Sequence, residues 1–172
     1  DFDDLLLQTN LLFHNHSDIL AKYQNIFSYI LVDEYQDTNF AQYLIIKKLA
    51  ERHERICVVG DDAQSIYSFR GANIDNILKF QSTYKNAQIF KLEQNYRSTK
   101  TIVNAANSLI DKNSEQIRKT IFSEKEIGKP IKISGVITDF EEALRVATQV
   151  TALHNNNYQY KDIAILYRTN SQ

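Results

Sequence analysis

Short apolar runs alternate with helical patterns along this chain. Residues 29–32 (YILV), 56–59 (ICVV), 89–92 (IFKL), 131–136 (IKISGV) and 163–167 (IAILY) read as strands. They are brief and rich in β-branched and aromatic residues, and most are expected to be buried on both faces. Helical patterns lie between them. Asn39 with Gln42 has the form of a capping box opening a helix through about Leu49. Ser98 is expected to cap a second helix whose Ile102, Ala105, Ala106, Leu109 and Ile110 fall on one stripe. Asp139 with Glu142 opens a third, with Ala143, Val146, Ala147 and Val150 on its apolar face. Strands alternating with helices predict an α/β fold built on parallel sheet flanked by helices. The break most like a domain boundary falls around residues 84–92, dividing the chain into 1–88 and 89–172.

Composition narrows the picture without deciding it. The 172 residues are 43% hydrophobic and 24% charged, with no apolar run near the length of a membrane span. The opening DFDD carries no leader pattern. A single cysteine, Cys57, excludes an internal disulfide, suits a reducing compartment and is expected to be a small buried hydrophobe, so a cytoplasmic location is expected. Net charge is −1, yet residues 1–86 carry 8 basic against 12 acidic side chains and residues 87–172 carry 12 against 9. Any site for a polyanion must therefore be local. His14 and His16 stand two apart and make a poor metal pair on a helix, and the run KNSEQIRK (112–119) reads as the solvated end of a helix whose cations could reach a nucleic-acid backbone.

Three strings carry chemistry. In open α/β sheets, ligands collect beyond the carboxyl ends of the strands. SYILVDEYQDTNFAQ (28–42) delivers Asp33 and Glu34 to such an end. Adjacent carboxylates suit Mg²⁺, one holding the metal while the other orients or deprotonates a water. Taken alone, the pair could equally be a solvated loop capping the next helix. ICVVGDDAQSIYSFRGA (56–72) repeats the theme with Gly60, Asp61 and Asp62, followed by Gln64, whose amide could touch a terminal phosphate. Its Tyr67, Phe69 and Arg70 interleave stacking faces with a cation, the pattern that holds single-stranded nucleic acid, although two aromatics can also simply fill a core. LEQNYRS (92–98) supplies Tyr96, able to stack on a base, and Arg97, able to clamp a γ-phosphate.

Together, in this order and spacing, the strings resemble the Walker B (DExQ) motif, motif III and motif IV of superfamily 1 DNA helicases, most of all the UvrD/PcrA/Rep group. DFDDLL (1–6) and IAILYRTNSQ (163–172) are similar to stretches of the same enzymes. The resemblance implies two RecA-like lobes, with 1–88 the back of the first and 89–172 the front of the second. It implies an ATP-dependent 3′→5′ helicase or translocase of DNA repair or replication, with ATP and Mg²⁺ as cofactors and single-stranded DNA and duplex junctions as partners. Asp33 would coordinate Mg²⁺ and Glu34 would be the catalytic base. Gln36 and Gln64 would sense nucleotide, Tyr96 would stack on adenine, and Arg97 would be an arginine finger. Tyr67 and Phe69, supported by Arg70, would contact DNA. Many relatives have Trp where Phe69 stands, and Asp before the motif III Gln where this chain has Ala63.

A P-loop reads G-x-x-x-x-G-K-[S/T]. Of Gly60, Gly71, Gly128 and Gly135, only Gly128 precedes a lysine; Pro130 follows, and Ser123 occupies the first glycine's place. The expectation is a piece of a longer parent that supplies the P-loop and the C-terminal motifs, inactive alone. Alternatives are a subunit of a recombination helicase-nuclease, a non-hydrolysing DNA-binding module, and a metal-dependent phosphohydrolase using Asp33, Glu34, Asp61 and Asp62.

Overall fold

A computed structural model describes residues 1–114 and 116–167. Contacts divide the chain into two compact units, Asp1–Gly128 and Lys129–Gln172. In the first unit, α1 (Phe2–Asn15) and α2 (Ser17–Ile26) pack with α3 (Phe40–Ala50). The strands β1 (Ile30–Val32) and β2 (Ile56–Val58) pair in parallel, with α3 as the crossover between them. The expected capping box opens α3. Asn39 Oδ1 accepts from Gln42 N–H and Gln42 Oε1 accepts from Asn39 N–H, both at 2.9 Å. Two short helices, α4 (Asp75–Leu78) and α5 (Phe80–Thr83), follow, then α6 (Lys100–Ile110).

The core of this unit is aromatic and small. Tyr35, only 1% exposed, meets Phe80 edge-on at 5.7 Å between centroids, and Phe80 packs on Tyr84 at 4.8 Å. Burial, with like-charge repulsion from Tyr84 and Tyr43, pushes the Tyr35 hydroxyl up to about 12. Thr38 and Asn76 lock the residues after β1 to α4: Asn76 Nδ2 donates to Thr38 O at 3.0 Å, and Asn73 N–H reaches the same carbonyl at 3.1 Å.

Several sequence expectations change. Parallel sheet forms, but among the described residues only β1 and β2 are strands. Residues 89–92, 131–136 and 163–167 are unpaired, with Phe90, Ile133 and Leu166 at least 80% exposed. An apolar run supplies the side chains of a strand but not the hydrogen-bonding neighbour that makes one. A single parallel bridge, Gln94 with Phe122, is all that follows the 89–92 run. Residues 168–172, the end of IAILYRTNSQ, and Glu115 of the KNSEQIRK run lie outside the described residues. The paired strands are open on one face, so Leu31 is 78% exposed and Cys57 is exposed rather than buried.

α6 starts after Thr99, not Ser98, and no side chain caps it. Its buried residue is Val103, while Ile102 and Leu109 of the expected stripe are exposed. The reason is the chain's return path: residues 121–127 run along the other face, where Asn107 Nδ2 donates to Ile121 O at 2.7 Å and Thr101 Oγ1 to Ile127 O at 2.6 Å. The second unit is built on α7 (Asp139–Asn155). Its cap is Thr138, whose hydroxyl accepts from Glu141 N–H at 3.2 Å, in place of Asp139 with Glu142. A groove of about 470 Å³ beside α7, lined by Lys132, Val136, Glu142 and Arg145 among others, contains none of the residues singled out by the three strings. No described helix is long and apolar enough to cross a membrane.

Candidate functional site

Parallel pairing brings the two acidic strings together. Val32 sits beside Val58 in the register, and the ladder runs one step further, with Val59 N–H donating to Val32 O at 2.8 Å and Tyr35 N–H to Val59 O at 3.0 Å. Residues 33–37 and 60–64 therefore leave the sheet at the same end. Asp33 and Glu34 are exposed there. Glu34 adopts the left-handed region, φ +49° and ψ +41°, a conformation that costs a non-glycine residue about 1–2 kcal/mol. Local bonds hold it in place. Asp33 Oδ1 accepts Glu34 N–H at 2.9 Å, Glu34 O accepts Asp37 N–H at 2.9 Å, and Glu34 Oε2 accepts from Gln36 Nε2 at 2.8 Å.

Gln36 is the hub. It is 1% exposed, and both ends of its amide are used internally: Nε2 donates to Glu34 Oε2 and, at 3.3 Å, to Asp37 Oδ2, and Oε1 accepts from Asp61 N–H at 3.0 Å. A Cβ on Gly60 would stand 2.6 Å from Gln36 Oε1 and 2.9 Å from Ile77 Cδ1, so β2 can approach this closely only with glycine at that position. The amide does not face solvent, and its route to any ligand runs through Glu34.

Asp61 and Asp62 face inward. Lys119 Nζ donates to Asp61 Oδ1 and to Asp62 Oδ1, both at 2.6 Å. Gln64 Nε2 donates to Asp61 Oδ2 at 2.8 Å, and Ile117 N–H to Asp62 Oδ2 at 2.8 Å. Burial alone would push the Asp61 carboxyl up; hydrogen bonds from Lys119, Gln64 and Ala63 N–H, with the charge of Lys119, overcome it and hold the carboxyl below its ordinary value. Burial likewise works against the Lys119 ammonium, and the two aspartates outweigh it and raise its pKa. Sequence reasoning placed Lys119 on a solvated helix end. The only signal for this pairing was a cation in that run and a double aspartate far away, Lys119 standing 57 positions after Asp62 along the chain.

The aromatic string behaves in the opposite way. After the turn Ser68–Arg70, Gly71 at φ +83° closes the loop. Tyr67 and Phe69 are 39% and 76% exposed, 6.0 Å apart between centroids, and Arg70 lies over both rings at 5.5 and 5.4 Å. This is a surface patch, not a core. Tyr96 is 75% exposed with its hydroxyl donating to Gln94 Oε1 at 2.9 Å. Asn95 Oδ1 shapes the turn by accepting from Arg97 N–H at 3.0 Å and Ser98 N–H at 2.8 Å. The Arg97 side chain is exposed and forms no ion pair among the described residues.

The donor set tests the expected metal. Asp33 and Glu34 are exposed hard oxygens at a strand end, with no cationic partner among the described residues, and they fit a Mg²⁺ ion that takes one or two carboxylates plus phosphate oxygens. The four carboxylates do not form one metal cluster. Asp61 and Asp62 are turned onto Lys119, and no group of three or more metal-ligating side chains stands together among the described residues. The phosphohydrolase alternative loses its ligand set.

Comparison with known proteins agrees with the strings. Residues 1–85 match the UvrD/REP helicase N-terminal domain, and residues 90–172 match the UvrD-like helicase C-terminal domain. The whole chain is 49% identical to the ATP-dependent DNA helicase PcrA of Staphylococcus aureus, covering 24% of that protein. It is 50% identical to the ATP-dependent DNA helicase PcrA of Bacillus subtilis and 47% to that of Leuconostoc citreum, with all of the chain aligned and 23% of each relative covered. The chain thus spans about a quarter of the length of these curated relatives.

Proposed function

The chain belongs to the UvrD-like helicase family, and on that premise we propose that it carries the hydrolytic centre and part of the DNA grip of an ATP-dependent 3′→5′ DNA helicase or translocase. The observation that carries this reading is the buried Gln36 amide, which wires Glu34 at one strand end to Asp61 at the next. Asp33 would hold the metal and Glu34 would take a proton from the attacking water. Bound Mg²⁺ would draw charge from the phosphate oxygens during transfer. Gln36, locked between Glu34 and Asp61, would fix the base and report its state to Asp61. Gln64, on Asp61 in this structure, would sense the terminal phosphate. Tyr96 would stack on the nucleobase and Arg97 would neutralise charge in the transition state.

Tyr67, Phe69 and Arg70 would hold single-stranded DNA and the single-stranded side of duplex junctions. Their exposure supports this, because a patch of two rings and a guanidinium facing solvent is suited to stacking bases. The division into lobes at 88/89 is supported by the separate matches to 1–85 and 90–172. Work in DNA repair or replication, in the cytoplasm, follows from the same reading.

The test is Mg²⁺-ATP hydrolysis by the full-length protein, with and without single-stranded DNA, for wild type and Arg97→Ala. Strong DNA stimulation that Arg97→Ala abolishes supports the reading, whereas hydrolysis indifferent to DNA overturns it. Residues 1–172 alone, which contain no P-loop, are expected to show no steady turnover.

A further inference from the structure

Segment 116–123 touches both sides of the proposed site. On one side, Ile117 N–H and Lys119 Nζ take up Asp62 and Asp61 through three bonds of 2.6–2.8 Å. On the other, the same segment carries the Arg97 turn. Thr120 N–H donates to Glu93 Oε1 and Phe122 N–H to Glu93 O, both at 2.9 Å. Asn95 N–H donates to Phe122 O at 2.7 Å, and Asn95 is the residue whose side chain shapes the turn at Arg97. Ser123 Oγ adds a bond to Ser98 O at 2.7 Å. The pairing also joins a residue of the N-terminal family match to one of the C-terminal match.

The clamp is sheltered. The Asp62 side chain is 2% exposed and Lys119 is 19% exposed. Removing the ammonium would leave Asp62 a buried charge with a single backbone donor among the described residues, and the segment would lose the cationic hold of Lys119 on the strand-end loop.

We propose that Lys119 is a positioning residue: by clamping Asp61 and Asp62 it sets where segment 116–123, and with it the Arg97 turn, stands relative to Glu34. The inference rests on the roles assigned to Glu34 and Arg97 above. Two of the three Lys119 ammonium donors are held by the aspartates, which ties the side chain to the strand-end loop. Its effect reaches the chemistry through the backbone ladder from Thr120 to Asn95.

A double-mutant cycle in the full-length protein tests this, reading kcat and KM for Mg²⁺-ATP at saturating single-stranded DNA. The variants are Lys119→Ala, Lys119→Arg, Arg97→Ala and the combination of Lys119→Ala with Arg97→Ala. Lys119→Ala is expected to lower kcat about ten- to a hundredfold, the scale of a misplaced catalytic group, with KM little changed. Lys119→Arg should recover most of that loss. The combined variant should be no slower than Arg97→Ala alone, because the route through Arg97 is already cut.

Wild-type kcat in Lys119→Ala, or losses that multiply in the combined variant, overturns the inference and leaves the assigned roles standing. Wild-type kcat in Arg97→Ala overturns those roles and the inference with them. The thermal midpoint and a count of active sites accompany each variant. A lysine that only stabilises the fold would lower the midpoint and the active fraction while kcat per active site stayed at the wild-type value, and that result also overturns the inference. Lys119→Gln carries the same readout should Lys119→Ala not fold.

Discussion

The acidic strand ends and the aromatic loop that follows them are separated by only a few residues, yet they are built on opposite physical terms. Around Gln36 the polar side chains are wired to one another: Glu34, Asp61, Asp62, Gln64 and Lys119 form one connected set. Around Tyr67, Phe69 and Arg70 the aromatic and cation–π contacts among the described residues are with each other. A site that does chemistry on a transferred phosphate benefits from groups preset before the substrate arrives. A grip that must accept successive bases benefits from open faces with no prior commitments. The contrast teaches that burial and connectivity, not sequence proximity, separate the two proposed tasks.

The largest expected effect breaks the wired side alone. Glu34→Gln keeps a hydrogen-bond partner for Gln36 but removes the proposed base, and hydrolysis by the full-length protein should fall by about 10²–10⁴ in kcat. Gly60→Ala sharpens the packing claim. Its methyl group would stand 2.6 Å from Gln36 Oε1, and overpacking of this kind should cost about 1–3 kcal/mol, read in chemical denaturation. Phe69→Ala acts on the open side: with the ring 76% exposed, the thermal midpoint should hardly move, while single-stranded DNA affinity should drop by about 1–3 kcal/mol, measured by fluorescence titration.

Smaller effects follow pH. Asp61 is held below its ordinary 3.8, so its contribution is complete above that value and is lost as pH falls through the lower folded value. Lys119 is held above its ordinary 10.5, so its contribution is complete below that value and is lost as pH rises through the higher folded one. Tyr35, pushed from 10.0 up to about 12, adds a decline as pH climbs through that interval. Stability followed by circular dichroism should therefore be flat through neutral pH where these groups are concerned, with Lys119→Ala removing the clamp's share of both edges. The smallest effect belongs to the exposed pair Lys79–Asp75, 2.8 Å apart: Lys79→Ala should change stability by less than about 1 kcal/mol.

Local signals were legible in the sequence and long-range ones were not. The capping box at Asn39 and Gln42 involves residues three apart, and it stands as read. The two acidic strings could be placed at strand ends because a strand run and its terminus are contiguous in sequence. The partner of Asp61 and Asp62 could not be read, because Lys119 lies in a run whose charges look solvated. The buried face of α6 differs from the predicted one for a related reason. The periodic stripe at Ile102 and Leu109 is real as a pattern, but the returning segment 121–127 bonds to Thr101 and Asn107, and Val103 is the residue that is buried. The apolar neighbours of Cys57 predict a core residue, whereas a sheet of two strands leaves that face open.

The most direct single measurement sets hydrolysis and DNA binding side by side on one variant, Glu34→Gln in the full-length protein, by phosphate release and by titration with single-stranded DNA. The account predicts that phosphate release collapses while DNA affinity stays at the wild-type value, because the wired centre and the open patch do separate work. Phosphate release that survives the substitution, or a parallel loss of both activities, would contradict it.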